Sequence, residues 1–253
     1  MSGNTASIKS NTAIALQAVQ VSYDAIVALD SVTTDIPLGQ MTAIIGPNGS
    51  GKSSLLKAIL QLVPYSGRIT FAQGITLEQM RPRLAYVPQR ILVDWHFPVS
   101  VQDVVAMGRY KPGAFFNRLS AQDYEAIKEA LAETGLTAFA KRPVGALSGG
   151  QQQRVFIARA LARKADLFIL DEPFSGIDSA SEENIWQIAK ALTAAGKTLV
   201  MVHHDLQSVA QHFDHVILLN GYCAAAGPVH EVMQPEVLNA VYYSRLPSSP
   251  QHA

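Results

Sequence analysis

Residues 41–45 form an apolar run, broken only by Thr42, that leads directly into Gly46-Pro47-Asn48-Gly49-Ser50-Gly51-Lys52-Ser53. Beyond it, Leu55, Leu56, Ile59 and Leu62 recur at helical spacing over residues 53–62. A strand, a glycine-bearing turn and a helix in that order fit the pattern G-x-x-x-x-G-K-S. The glycines let the backbone turn tightly, so that N–H groups point inward at phosphate oxygens, and the helix start adds partial positive charge. Residues Gly46, Pro47, Asn48, Gly49, Ser50, Gly51, Lys52, Ser53 and Ser54 are therefore candidate phosphate ligands. Lys52 is placed to reach the β- and γ-phosphates, and the Ser53 hydroxyl to ligate Mg²⁺. By composition such a match arises by chance in roughly one chain in a hundred, and the strand–helix flanks make coincidence rarer still.

Around this element, short β-rich runs alternate with helical patterns. Residues 15–21, 26–36, 67–71 and 84–87 read as strands. Residues 100–140 turn helical, most clearly over 120–133, where Ser120 suits an N-cap and Gly135 a stop. A helix over 149–163, an apolar strand over 167–170, a helix over 179–194 and an apolar strand over 199–202 follow. Strands without alternation, separated by helices, favour a parallel sheet covered on both faces.

Two acids, Asp171 and Glu172, close the apolar run 167–170. An α/β sheet presents its ligand crevice at such strand ends. Asp171 suits Mg²⁺, and Glu172 suits a general base that polarises an attacking water. Leu147-Ser148-Gly149-Gly150-Gln151 opens the helix at 149. A helix cap accounts for Ser148 but leaves the glycine pair and the glutamine unexplained. Ser148 and the amides of Gly149 and Gly150 make a second anion-binding helix start. One nucleotide does not readily occupy two such starts in one compact subunit, so this loop is expected to cover a nucleotide held by another copy.

Over residues 15–242 these motifs, in this order, resemble the ATP-binding subunit of an ABC transporter. The resemblance implies an α/β fold: a P-loop NTPase core with an N-terminal antiparallel β subdomain and an α-helical subdomain inserted at about 90–160. It implies one ATP-binding domain over 14–244, with the polar stretches 1–13 and 245–253 as flexible tails. By the same resemblance Tyr23 stacks on adenine, and Gln89 senses Mg²⁺ and the attacking water. Asp178, in Ser175-Gly176-Ile177-Asp178, belongs to a dimer-contact loop, and His204, before Asp205-Leu206, contacts the γ-phosphate. The catalytic set is then Glu172, His204, Gln89 and Lys52, with Ser53, Gln89 and Asp171 around Mg²⁺. Tyr23, the phosphate loop, Ser148, Gly149, Gly150, Gln151 and Asp178 hold ATP. Two copies are expected head to tail, with ATP at their interface.

The wording of residues 93–110, including Val93-Asp94-Trp95 and Phe97-Pro98-Val99-Ser100-Val101, and of Val202-His203-His204-Asp205-Leu206 resembles the manganese/zinc/iron branch of bacterial importers. That branch implies a membrane permease docked on the region after Gln89, where Ile91, Leu92, Val93, Trp95 and Phe97 cluster, and an extracytoplasmic metal-binding protein upstream of it. The subunit is then peripheral, on the cytoplasmic face of the inner membrane. Another importer substrate, such as an iron chelate, is the alternative. A P-loop metabolite kinase would share residues 46–53 but has no use for Ser148–Gln151 or His204.

Composition narrows the field. Twenty Lys+Arg balance twenty Asp+Glu, which gives no support to broad attraction for nucleic acid. A single cysteine, Cys223, excludes an internal disulfide framework, and it is expected to be a small buried side chain. His203, His204, Asp205, His212 and His215 crowd together without a recognised metal-ligand motif.

Overall fold

The computed structural model describes residues 11–24, 26–89, 98–110 and 118–242. In chain order the elements are β1 (Thr12–Tyr23), β2 (Ile26–Pro37), β3 (Met41–Ile45), α1 (Lys52–Ile59), β4 (Ser66–Phe71), α2 (Leu77–Met80), β5 (Leu84–Val87), α3 (Val101–Ala106) and α4 (Ala121–Glu133). Then come α5 (Gly149–Ala162), β6 (Leu167–Asp171), α6 (Ser179–Ala194), β7 (Thr198–Val202), α7 (Leu206–His212), β8 (His215–Leu219), β9 (Cys223–Pro228), α8 (Val229–Val232) and α9 (Pro235–Tyr242). They gather into two compact units, one of residues 11–37, 42–74 and 202–242, the other of 38–41 and 75–201.

In the first unit β2, β1 and β4 form an antiparallel sheet in that order, as the N-terminal β subdomain requires. The strand begins at Thr12, earlier than the boundary at 14 read from the sequence, because Thr12 and Ala13 are themselves buried. Residues 1–10 and 245–253 of the expected tails lie outside the described residues. The phosphate-loop strand β3 runs parallel to β8, pairing Ala43 with Val216 and Ile45 with Leu218. β8 pairs antiparallel with β9. Neither β8 nor β9 was anticipated. β9 is alanine-rich and weak in β-propensity, so its ladder to β8 is what holds it extended.

In the second unit β5 and β6 run parallel, with Leu84 opposite Leu167 and Val87 opposite Leu170. The helices α3, α4 and α5 lie between them in the chain and share a core that includes Val101, Val105, Ile127, Leu131, Leu136 and Val155. Each such side chain stabilises the helices by roughly 1.5–3 kcal/mol on burial. One device starts these helices repeatedly. Ser100, Ser120 and Ser148 each accept from the backbone N–H three residues on, and Asp103, Asp123 and Gln151 return a side-chain bond to the cap. Arg109 Nε reaches Asp123 at 2.7 Å. The Ser120 N–H and hydroxyl, and then Arg109, hold the Asp123 carboxyl down to about 2.

Candidate functional site

The first unit presents the phosphate loop. Gly46 is buried at the end of β3 with φ of 148°, and a Cβ there would stand 2.1 Å from the Leu219 carbonyl oxygen. Only glycine tolerates both the dihedral and the approach. Pro47, Asn48 and Gly49 form the turn, and the Ser50 N–H closes it on the Pro47 carbonyl at 3.1 Å. Gly51, in the left-handed region, stands at the N-cap of α1 with no side-chain cap of its own. The first-turn N–H groups of α1 are therefore left to a ligand or solvent. Lys52 bridges the loop, its Nζ donating to the carbonyls of Gly46 and Pro47 at 2.9 Å each. Ser53 is exposed on the first turn, and Ser54 lies 3.4 Å from the Tyr23 hydroxyl. Tyr23 is 42% exposed at the end of β1, so its ring face is open to stacking.

Two other residues of this unit bond to the same region. The phenol oxygen of Tyr242, on α9, accepts from the Gly46 backbone N–H. His203, at the end of β7, is 2% exposed, and its backbone N–H donates to the Ile44 carbonyl of β3 at 3.1 Å. His204 follows it into solvent, and Asp205 then caps α7 through the N–H groups of Gln207 and Ser208. Sequence reasoning gave Tyr242 no role, and placed His203 in the stretch Val202–Leu206 without giving it a task of its own.

The second unit carries the acids. Asp171 ends β6 and is 4% exposed, and its charge, after burial, helps push the Tyr86 phenol up. Glu172 is half-buried with φ of +48°, an unusual backbone for a glutamate. A turn from its carbonyl to the Ser175 N–H at 3.2 Å holds that conformation. Gln89, just past β5, donates from Nε2 to Glu172 Oε2 at 2.8 Å. The structure thus brings together two residues that stand 83 positions apart.

On the same unit the helix start at Ser148 corrects one inference from sequence. The Gln151 N–H donates to Ser148 Oγ at 3.3 Å, and the Ser148 N–H donates to Gln151 Oε1 at 3.0 Å. Gln151 is therefore accounted for by capping, which the sequence reading had credited with the serine alone. Gly150 has a packing reason as well. A Cβ there would stand 2.2 Å from Ser181 Oγ and 2.9 Å from Asp178 Oδ2. Asp178 caps α6, accepting from the Ser181 N–H at 2.9 Å and from its hydroxyl at 2.9 Å. Those bonds hold the Asp178 carboxyl below the usual range. Gly149 is half-buried and Ser148 exposed, so the N–H end of this helix remains presented.

The oxygen donors assigned to Mg²⁺ are a serine hydroxyl, an amide oxygen and the buried Asp171 carboxylate. These hard ligands fit the ion. Among the described residues no group of three His, Cys, Asp or Glu is arranged to hold a metal of its own. Cys223 is half-buried rather than fully enclosed, and burial pushes its thiol up. Of the expected docking cluster, Ile91, Leu92, Val93, Trp95 and Phe97 lie outside the described residues. Among those described, no helix is long and apolar enough to cross a membrane.

Comparison with known proteins adds the following. The profile of the ABC transporter family matches residues 29–175. The manganese transport system ATP-binding protein MntB of Halalkalibacterium halodurans is 44% identical over 93% of this chain and 94% of its own. The zinc transport system ATP-binding protein TroB of Treponema pallidum is 46% identical, over 95% of this chain and 91% of its own. Among solved structures, the ADP conformation of MJ1267, an ATP-binding cassette of an ABC transporter, superposes with a TM-score of 0.80 at 26% identity, covering 92% of this chain and 99% of that one.

Proposed function

This chain belongs to the ABC transporter family as an ATP-binding cassette, and from that premise we propose that it powers bacterial import of a transition metal through a separate permease. The observation that carries the reading is the second capped helix start at Ser148, with Gly150 pressed against Asp178 and Ser181. Capping and packing account for its side chains, but its N–H end stays presented. That makes a second anion-binding start, in addition to that of the phosphate loop, which suits a nucleotide shared between two copies. The similarity to manganese and zinc transport subunits supports the cargo class.

In this reading Tyr23 stacks on adenine, and residues 46–54 wrap the phosphates with backbone N–H groups. Lys52 exchanges its two carbonyl partners for β- and γ-phosphate oxygens. Ser53, Asp171 and Gln89 would hold Mg²⁺, which when bound neutralises phosphate charge. Glu172 accepts the proton of the attacking water. Gln89 fixes the Glu172 carboxylate, and His204 contacts the γ-phosphate. The second copy supplies Ser148, Gly149, Gly150 and Gln151 to the same nucleotide, and Asp178 sits behind that loop. ATP thus stabilises the closed pair through contacts that the open pair lacks, and hydrolysis removes them.

The permease docks on the region following Gln89 and holds this subunit peripherally at the cytoplasmic face of the membrane, while an extracytoplasmic protein delivers the metal. Co-purification of the assembled complex, followed by ATPase assays with the matching binding protein and Mn, Zn or Fe, tests the proposal. Stimulation by one of these metals is expected. No stimulation by any would discard metal import and leave the ATPase assignment standing.

A further inference from the structure

His203 is the interior member of the His203-His204 pair, and its surroundings give it a separate task. Its backbone is tied to Ile44 of β3, one residue before the strand's last position, by the 3.1 Å bond to the Ile44 carbonyl. Its ring lies 5.7 Å from that of His204 with the planes inclined at 35°, and 5.9 Å from Phe213 at 37°. Phe213, directly after α7, is itself buried. His204 is therefore flanked on one side by a buried ring that lies beside Phe213 and whose backbone is tied to β3. On the other side stands Asp205, whose carboxylate is locked to Gln207 and Ser208. An exposed imidazole that must meet a phosphate gains from such a support, because misplacement of a contacting group costs rate steeply.

We infer that His203 is a positioning residue: its flat buried ring is the platform that sets the orientation of the His204 imidazole. This rests on the reading of His204 as the γ-phosphate contact. The groups facing His203 are His204, Asp205, His212 and Phe213. Burial together with the neighbouring His204 and His212 keeps its imidazole neutral, with Asp205 pulling the other way.

The test is a kinetic cycle in the assembled transporter. His203→Ala should lower kcat roughly tenfold with the KM for ATP unchanged, while His203→Phe, which keeps a flat ring, should restore turnover to within about twofold. Because His203 acts through His204, adding His203→Ala to His204→Ala should cost nothing further. If the alanine cavity unfolds the chain, His203→Leu fills the space without a flat ring and carries the same arm. Unchanged kcat in His203→Ala or Leu, an equal loss in His203→Phe, or an additive loss in the double variant would overturn the inference. Full turnover in His204→Ala would instead overturn the reading of His204 on which it rests.

Discussion

Gln89 Nε2 donates to Glu172 Oε2 at 2.8 Å, tying the second residue after β5 to the residue directly after β6. The bond fixes the carboxylate of a glutamate whose backbone already sits in the left-handed region at φ of 48°. Strain of that kind, of order 1–3 kcal/mol, persists where surroundings over-determine it and concentrates at functional positions.

Glu172→Gln removes the proton acceptor while leaving the fold and the phosphate loop intact. ATP binding should be kept and turnover should fall by roughly 10²–10⁴. Equilibrium binding of a fluorescent ATP analogue beside phosphate release checks both halves. Gln89→Ala should lower turnover on its own and add little to the loss in Glu172→Gln, since the two act as one unit.

Gly150→Ala places a methyl 2.2 Å from Ser181 Oγ and 2.7 Å from Ser181 Cβ. The cap on α6 must then shift, at a cost of about 1–3 kcal/mol. Replacing Ser181 by Gly in the same chain opens that space and should recover most of the loss in Tm, at the lesser cost of one cap bond. Thermal unfolding of the parent chain and these two variants measures this.

Tyr242→Phe deletes the acceptor of the Gly46 N–H and keeps the ring. A single hydrogen bond of about 0.5–1.5 kcal/mol converts to a weakening of ATP binding of roughly two- to tenfold. Titration calorimetry with ATP should register it, beside a small fall in Tm from the same lost bond.

How much of this was legible beforehand follows from the range of the signal. The phosphate loop, α1, β6 and the pair Asp171-Glu172 are written in contiguous residues, and so is the Ser120 cap of α4. The Gln89–Glu172 bond was not legible from spacing, because only the register of β5 against β6 aligns the two strand ends. The contacts of Tyr242 and His203 escaped for the same reason: each acts on β3 or the loop after it from a distant part of the chain. β9 lacked a local signal, its Ala-Ala-Ala-Gly run being held by β8 alone. Gln151 was misread because a glutamine three residues after a serine cap is itself the capping box.

Burial sets the sign of the acid response at His203, whose folded value is lowered from 6.5 to about 4. Between those two values the unfolded chain takes up a proton that the folded chain refuses. Stability should therefore decline as pH falls through that window, by at most roughly 3 kcal/mol from this group, and show no contribution from it above 6.5. His203→Phe should flatten the slope by about one proton. Urea unfolding of both chains at a series of pH values makes the comparison.

The sharing of each nucleotide between two copies is tested most directly by sedimentation velocity of Glu172→Gln with and without ATP, alone and combined with Ser148→Arg. The expected result is an ATP-dependent dimer for Glu172→Gln that disappears when Ser148 is replaced, with ATP still bound to the separated chains. A Glu172→Gln chain saturated with ATP that sediments as a monomer, or a dimer indifferent to Ser148→Arg, would contradict it.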